Sequence, residues 1–265
     1  MLTFAIAASL ASALPTASAT ATFSVPDTDP AMWVVRDEDT TIYLFGTFHA
    51  LDGRSNWLNG EVRSAFYQSD EVILETLLPE AAPGLPRRHA RRAAAEPIRP
   101  GASFLASTRV ALSAGRLKGL KFDHGADAVL RNAARHLGKK VGGLETYEFQ
   151  MNMFSRLRAE GSPFPARRSA DPIGDLATVM ATMQASWNRG EGEVFAGMLE
   201  EMRRRSPNTY RTLFLERNAH WAEWISGRLD RPGTVFVAVG AGHLAGSDSV
   251  QNKLAMLGVR SARLN

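Results

Sequence analysis

The sequence contains no cysteine. That excludes a disulfide framework, a zinc finger and a thiol nucleophile, and it leaves any metal to His, Asp or Glu. Charge of one sign is also scarce. The 31 Lys and Arg stand against 27 Asp and Glu, a formal net charge of +4. The one local excess is Arg87, Arg88, Arg91 and Arg92 around His89. A nucleic-acid footprint needs a larger basic face, so this cluster reads as a solvated loop and no nucleic-acid partner is expected. Beyond the first residues no apolar run approaches the ~20 residues that a bilayer span needs. A GxSxG nucleophile elbow, an HExxH helix, a phosphate-binding loop and any repeat of 20–50 residues are missing too. Gly240, Gly242 and Ala245 match a GxGxxA dinucleotide fingerprint, but the last acidic residue is Asp248. The acid that such a site needs about 20 residues further on does not follow, so a nucleotide domain is not expected.

Hydrophobic residues make up 45% of the 265 positions and charged residues 22%, ordinary globular usage that can bury a core. Residues 1–19 are apolar and small-residue-rich and end in Ala17-Ser18-Ala19. They read as a signal peptide with an A-x-A cleavage site, although no Lys or Arg precedes the apolar stretch. Export to the periplasm or the medium is expected, with no membrane span after cleavage.

Residues 31–265 read as one α/β domain. Met32–Arg36 and Thr41–Phe45 are expected strands joined by Asp37-Glu38-Asp39. Leu58, Val62, Ala65 and Phe66 recur at helical spacing, and Val72-Ile73-Leu74 forms the next strand. Residues 79–100, with five prolines and the arginine cluster, read as an insertion. Asp123 is the expected cap of a helix with the stripe Ala126, Val129, Leu130, Ala133 and Leu137. A strand over 140–144 follows, then a helical subregion over about 173–229. The continuous apolar run Val235–Val239 is typical of a fully buried strand. A helix and a strand over 259–264 close the pattern. Strands at both ends with helices between predict a mixed sheet built from N- and C-terminal segments, with the helical region inserted.

The chemistry gathers where these strands end. Gly46-Thr47-Phe48-His49 and Gly240-Ala241-Gly242-His243 each follow an apolar strand. In an open α/β sheet ligands collect beyond the carboxyl ends of strands, and imidazole is the commonest protein metal ligand and general base. Two loop-end histidines with hydrogen bonds of their own would give the same spacing. Glu75 and Glu145 also end apolar strands, where a buried acid is paired, hydrogen-bonded or metal-bound. Two His with one or two Glu suit Mn²⁺, Co²⁺ or Zn²⁺. Arg217 lies on the stripe Tyr210, Leu213, Phe214, Trp221 and Ile225, and such a guanidinium usually meets a carboxylate or a developing anion. Asn218 shares part of that face. His124 reads as lying near a helix start, and His136 and His220 as lying on helix surfaces.

Trp33-Val34-Val35, the stretch Thr40–His49, Gly143–Thr146, Glu216-Arg217-Asn218 and Val239–Leu244 together resemble the TraB/PrgY/GumN family. That family is similar to the Tiki metalloproteases and, more remotely, to ChaN-like and erythromycin esterase-like proteins. The resemblance covers residues 31–265, with the segment 79–100 departing from it. It implies a paired GxxH site with an essential Glu and an Arg. On this carry-over His49, His243 and Glu145 are metal ligands, and Glu75, Glu145, Arg217 and Asn218 are catalytic. The implied activity is metal-dependent hydrolysis of a peptide or small acyl compound. One Glu would ligate and the other act as base, with Arg217 on the oxyanion. The alternative is a binding or accessory protein of the envelope, for a peptide or haem-like ligand or for polysaccharide production.

Overall fold

The computed structural model describes residues 28–77, 110–111, 113–157 and 172–265. The expected signal peptide and the insertion over 79–100 lie outside these residues. Six strands form one mixed sheet: β1 (Met32–Arg36), β2 (Thr40–Thr47), β3 (Glu71–Thr76), β4 (Lys140–Glu145), β5 (Gly233–Gly240) and β6 (Ser261–Arg263). Their order across the sheet is β4-β3-β5-β2-β1-β6. β4, β3, β5 and β2 run parallel, whereas β1 is antiparallel to both β2 and β6. Four carboxyl ends therefore lie along one edge, and the central strand β5 comes from the far end of the sequence.

β5 explains its own position. Val235, Val237 and Val239 pack on one face with Ile42, Leu44 and Ile73, while Phe236 and Ala238 pack on the other with Phe45, Val72 and Leu74. Strand side chains alternate with period two, so an apolar residue at every position demands cover on both faces. α1 (Gly60–Gln68) and α2 (Ala126–His136) cover the Phe236 face through Val62, Phe66, Ala126 and Leu130. α3 (Tyr147–Arg156) follows β4, and its Thr146 N-cap accepts from the amide of Phe149. α4 (Pro172–Asn188) and α5 (Glu193–Arg205) join the Phe236 face with Met183, Trp187, Phe195 and Leu199. Removing the Phe45 ring from this layer would cost about 3–5 kcal/mol.

The inserted helical region, between β4 and β5, packs on both faces of the sheet. After the short α6 (Pro207–Tyr210) and a π-helical turn at Arg211–Leu215, α7 (Glu216–Arg228) crosses to the opposite face. There Trp221, Ala222 and Ile225 pack with Leu254 of α8 (Val250–Met256). The helix start is also corrected. Asp123 lies in the 3₁₀ turn Phe122–His124 and Gly125 is the N-cap of α2. Leu137, expected in the stripe, is exposed. Among the described residues no helix is long and apolar enough to cross a membrane.

Candidate functional site

The site grows from the four aligned strand ends. Glu75 is next to last in β3, Glu145 is last in β4, His49 lies two residues beyond β2, and His243 lies three beyond β5. Alternation turns Glu75 toward the face of Ile73, where α7 brings Arg217, Asn218 and Trp221.

Arg217 is the hub. Its side chain is 5% exposed. Nε donates to Glu145 Oε1 at 2.7 Å, and Nη2 donates to Glu145 Oε2 at 2.8 Å and to Glu75 Oε1 at 2.5 Å. Nη1 donates to the Leu213 carbonyl at 3.0 Å and meets His243 Nε2 at 3.3 Å. A guanidinium has five N–H bonds, and here all five are directed at protein acceptors. The π-helical turn contributes: the amide of Glu216 bonds back to Arg211, and the Leu213 carbonyl accepts from the Arg217 side chain. Trp221 stacks under the guanidinium at 4.7 Å. Burial lowers the tendency of Arg217 to hold its proton, but Glu75 and Glu145 outweigh it and raise its pKa.

Glu145 is saturated. Oε1 also accepts from Trp221 Nε1 at 3.1 Å, and Oε2 from Gln150 Nε2 at 3.0 Å. Glu75 differs. Oε1 takes Arg217 and Gln150, while among the described residues Oε2 receives only the amide of Gly240, at 3.3 Å. Burial pushes the Glu75 carboxyl up, but Arg217, His243 and His49 together hold it well below the usual carboxylate range.

Both histidines are oriented by their Nδ1 atoms. Asn218 Nδ2 donates to the Asp248 carbonyl at 2.7 Å, which turns Oδ1 toward His243 Nδ1 at 2.6 Å. Nδ1 of His243 thus carries the hydrogen and Nε2 keeps its lone pair. Burial, reinforced by Arg217, pushes the His243 pKa down to about 3, so the ring is neutral. His49 Nδ1 lies 2.8 Å from Asp127 Oδ1 in the first turn of α2. That helix start presses on the His49 backbone: Ala126 N–H bonds the Phe48 carbonyl at 3.0 Å, and any Cβ on Gly125 would collide with the His49 carbonyl. The Asp127 charge raises the His49 pKa to about 9. The His49 side chain remains 56% exposed, so this side of the site opens to solvent.

Three of these side chains meet at Gly240. A Cβ there would stand 3.2 Å from His49 Nε2, 3.5 Å from Glu75 Oε2 and 3.6 Å from His243 Cδ2. Two loop histidines almost two hundred residues apart thus border one small gap.

A sequence profile of the TraB/PrgY/gumN family matches residues 31–89 and 84–263. The chain belongs to the TraB/PrgY/gumN family. The two matched stretches meet inside the arginine- and proline-rich segment. No curated protein and no solved structure matches the chain.

Within this TraB/PrgY/gumN chain, Glu75, Glu145, Arg217, Asn218 and His243, all singled out in the sequence, lie in one hydrogen-bond network, and His49 stands beside it, bonded to Asp127. Glu145, expected as a ligand, spends its oxygens on Arg217, Trp221 and Gln150. Arg217, expected on a substrate oxyanion, has no N–H left for one. Asp127, Gln150 and Trp221 were missed. Asp127 carried a faint signal, as an acid in the first turn of a helix. Trp221 was visible only as a stripe residue.

Proposed function

We propose that this protein is an exported metal-dependent hydrolase acting on a peptide or another small acyl compound. The convergence of His49 Nε2, Glu75 Oε2 and the His243 ring beside Gly240 carries the reading. His49, His243 and Glu75 would hold the ion. Three features support a hard or borderline divalent cation such as Mn²⁺, Co²⁺ or Zn²⁺. The absent side chain of Gly240 leaves space. Each imidazole is anchored through Nδ1, by Asp127 or Asn218, as metal-binding histidines usually are. Glu75, Glu145 and Asp127 stand against the guanidinium of Arg217 and a protonated His49, so a divalent ion that displaces the His49 proton meets negative charge to balance. Among the described residues no three His, Asp or Glu side chains already stand at ion-holding separation. Loading therefore takes side-chain movement: His243 Nε2 must give up its contact with Arg217 Nη1, and the half-exposed His49 must turn toward it.

A bound divalent ion supplies a water of lowered pKa and polarises a carbonyl oxygen. The chain's own groups hold that chemistry in place. Glu75, kept ionised, suits ligation better than proton acceptance, because a general base works best with a pKa near the operating pH. Glu145 fixes Arg217, and Arg217 fixes Glu75 and the His243 ring. Asp127 keeps a hydrogen on His49 Nδ1, aiming Nε2 at the gap.

One observation favours a second reading, a binding or accessory protein without turnover: Arg217 is satisfied entirely within the protein, as in a structural polar core. Calorimetric titration with MnCl₂, CoCl₂ and ZnCl₂, paired with mass spectrometry of a digested peptide mixture, separates the two. The hydrolase reading expects about one ion per chain and metal-stimulated cleavage, both lost in His49→Ala and His243→Ala. Uptake without cleavage favours the second reading. No uptake, or unchanged uptake in both variants, overturns the metal site.

A further inference from the structure

Gln150 belongs to the ring of site residues, although neither its spacing nor any motif marks it. It sits in the first turns of α3, one turn beyond the Thr146 cap, so its side chain folds back over the carboxyl end of β4. The residue is 7% exposed. Its Nε2 lies 3.0 Å from Glu75 Oε1 and 3.0 Å from Glu145 Oε2. A side-chain amide nitrogen has two hydrogens, and both are spent on these two carboxylates. The flipped amide would set an oxygen against two anions, so the orientation is forced.

This contact decides which oxygen of Glu75 is free. The terminal torsion of a glutamate is soft and roughly two-fold, so an untethered carboxylate can present either oxygen. Arg217 Nη2 and Gln150 Nε2 both hold Oε1, approaching from α7 and α3. Only Oε2 is left, and it faces Gly240 and the imidazoles. We infer that Gln150 is a positioning residue that bridges Glu75 and Glu145 and thereby aims Glu75 Oε2 into the gap bordered by His49 and His243. Its consequence for ion binding rests on the hydrolase reading above; the bridge itself does not.

Two variants bracket the role. Gln150→Met keeps the length and removes both donors, and Gln150→Glu keeps the shape and turns a donor into a third acceptor. In calorimetry with MnCl₂, Gln150→Met should weaken uptake about tenfold, the lower end for a group that orients a ligand. Gln150→Glu should weaken it further. On any peptide the wild type cleaves, Gln150→Met should lower kcat with KM within about twofold. Wild-type Mn²⁺ uptake in Gln150→Met would overturn the assignment. If the wild type takes up no ion, the hydrolase reading falls by itself and a metal-free double-mutant cycle decides the bridge. There the unfolding constants of Gln150→Met, Glu75→Gln and the double variant are compared in urea. The double variant should fall short of the product of the singles by about fivefold or more, as contacting residues do. Agreement with that product within twofold would overturn the bridge.

Discussion

Gly240 has no side chain, and the space a methyl group would take is the space that His49, Glu75 and His243 border. Its backbone, at φ −52° and ψ 135°, suits any L-residue. Gly240→Ala should therefore fold, losing no more than about 1–2 kcal/mol to tight contacts. Mn²⁺ uptake should fall at least tenfold. Thermal melting and calorimetry on one sample check both, and unchanged uptake would remove the gap from the account. Arg217 shows the other side of residue-scale reasoning. Removing it, as in Arg217→Met, strands two buried carboxylates, and breaking a buried pair in this way costs about 3–5 kcal/mol. Urea unfolding should report a loss of that size. A loss below about 1 kcal/mol would mean that Glu75 and Glu145 find other partners.

At the scale of elements, strand ends supply the reactive groups and helix starts orient them. β2, β3, β4 and β5 deliver His49, Glu75, Glu145 and His243, while the first turns of α2, α3 and α7 deliver Asp127, Gln150 and Arg217. The first set was legible because an apolar run that stops at a Gly or an acid marks a strand end. The second set was legible only in part. Arg217 stood out as a charge on an apolar stripe, whereas Asp127 and Gln150 look like ordinary first-turn polar residues until the strand order is known. That order, with β5 between β3 and β2, depends on contacts far apart in sequence and leaves no trace in periodicity. The loop before α8 adds a pH dependence. Asp248 accepts from Tyr210 Oη at 2.8 Å and from Lys253 Nζ at 2.7 Å, and its carbonyl holds Asn218. Burial raises the Asp248 pKa, but those two bonds outweigh it and hold it below the ordinary carboxylate value. A lowered folded-state pKa gives stability that is present above the unfolded pKa, near 4, and is lost as pH falls through the folded value. Asp248→Asn should flatten the acid limb of a urea-stability profile below about pH 4. An unaltered limb would show that this carboxylate does not contribute.

At the scale of the whole molecule, one sheet covered on both faces fixes where the site can be. Sequence reading found the mixed α/β sheet and its assembly from both ends of the chain, because β5 is too apolar for anything but a central strand. The inserted helical region over about 173–229 is legible as well, but helical stripes do not say which face of a sheet each helix covers. The split places α4 and α5 on the Phe236 face and α7 on the other, and that split brings Arg217 to the carboxylates. The proposed export is tested by intact mass: cleavage after Ala19 predicts a secreted protein beginning at Thr20, and a full-length mass in the secreted fraction contradicts it.

The most direct measurement is an anomalous difference map from a crystal of the protein grown with MnCl₂. The account predicts one strong peak beside Gly240, between His49 Nε2, His243 Nε2 and Glu75 Oε2, with Glu145 still bound to Arg217. No peak there, or a peak held by Glu145 without the two imidazoles, would contradict it.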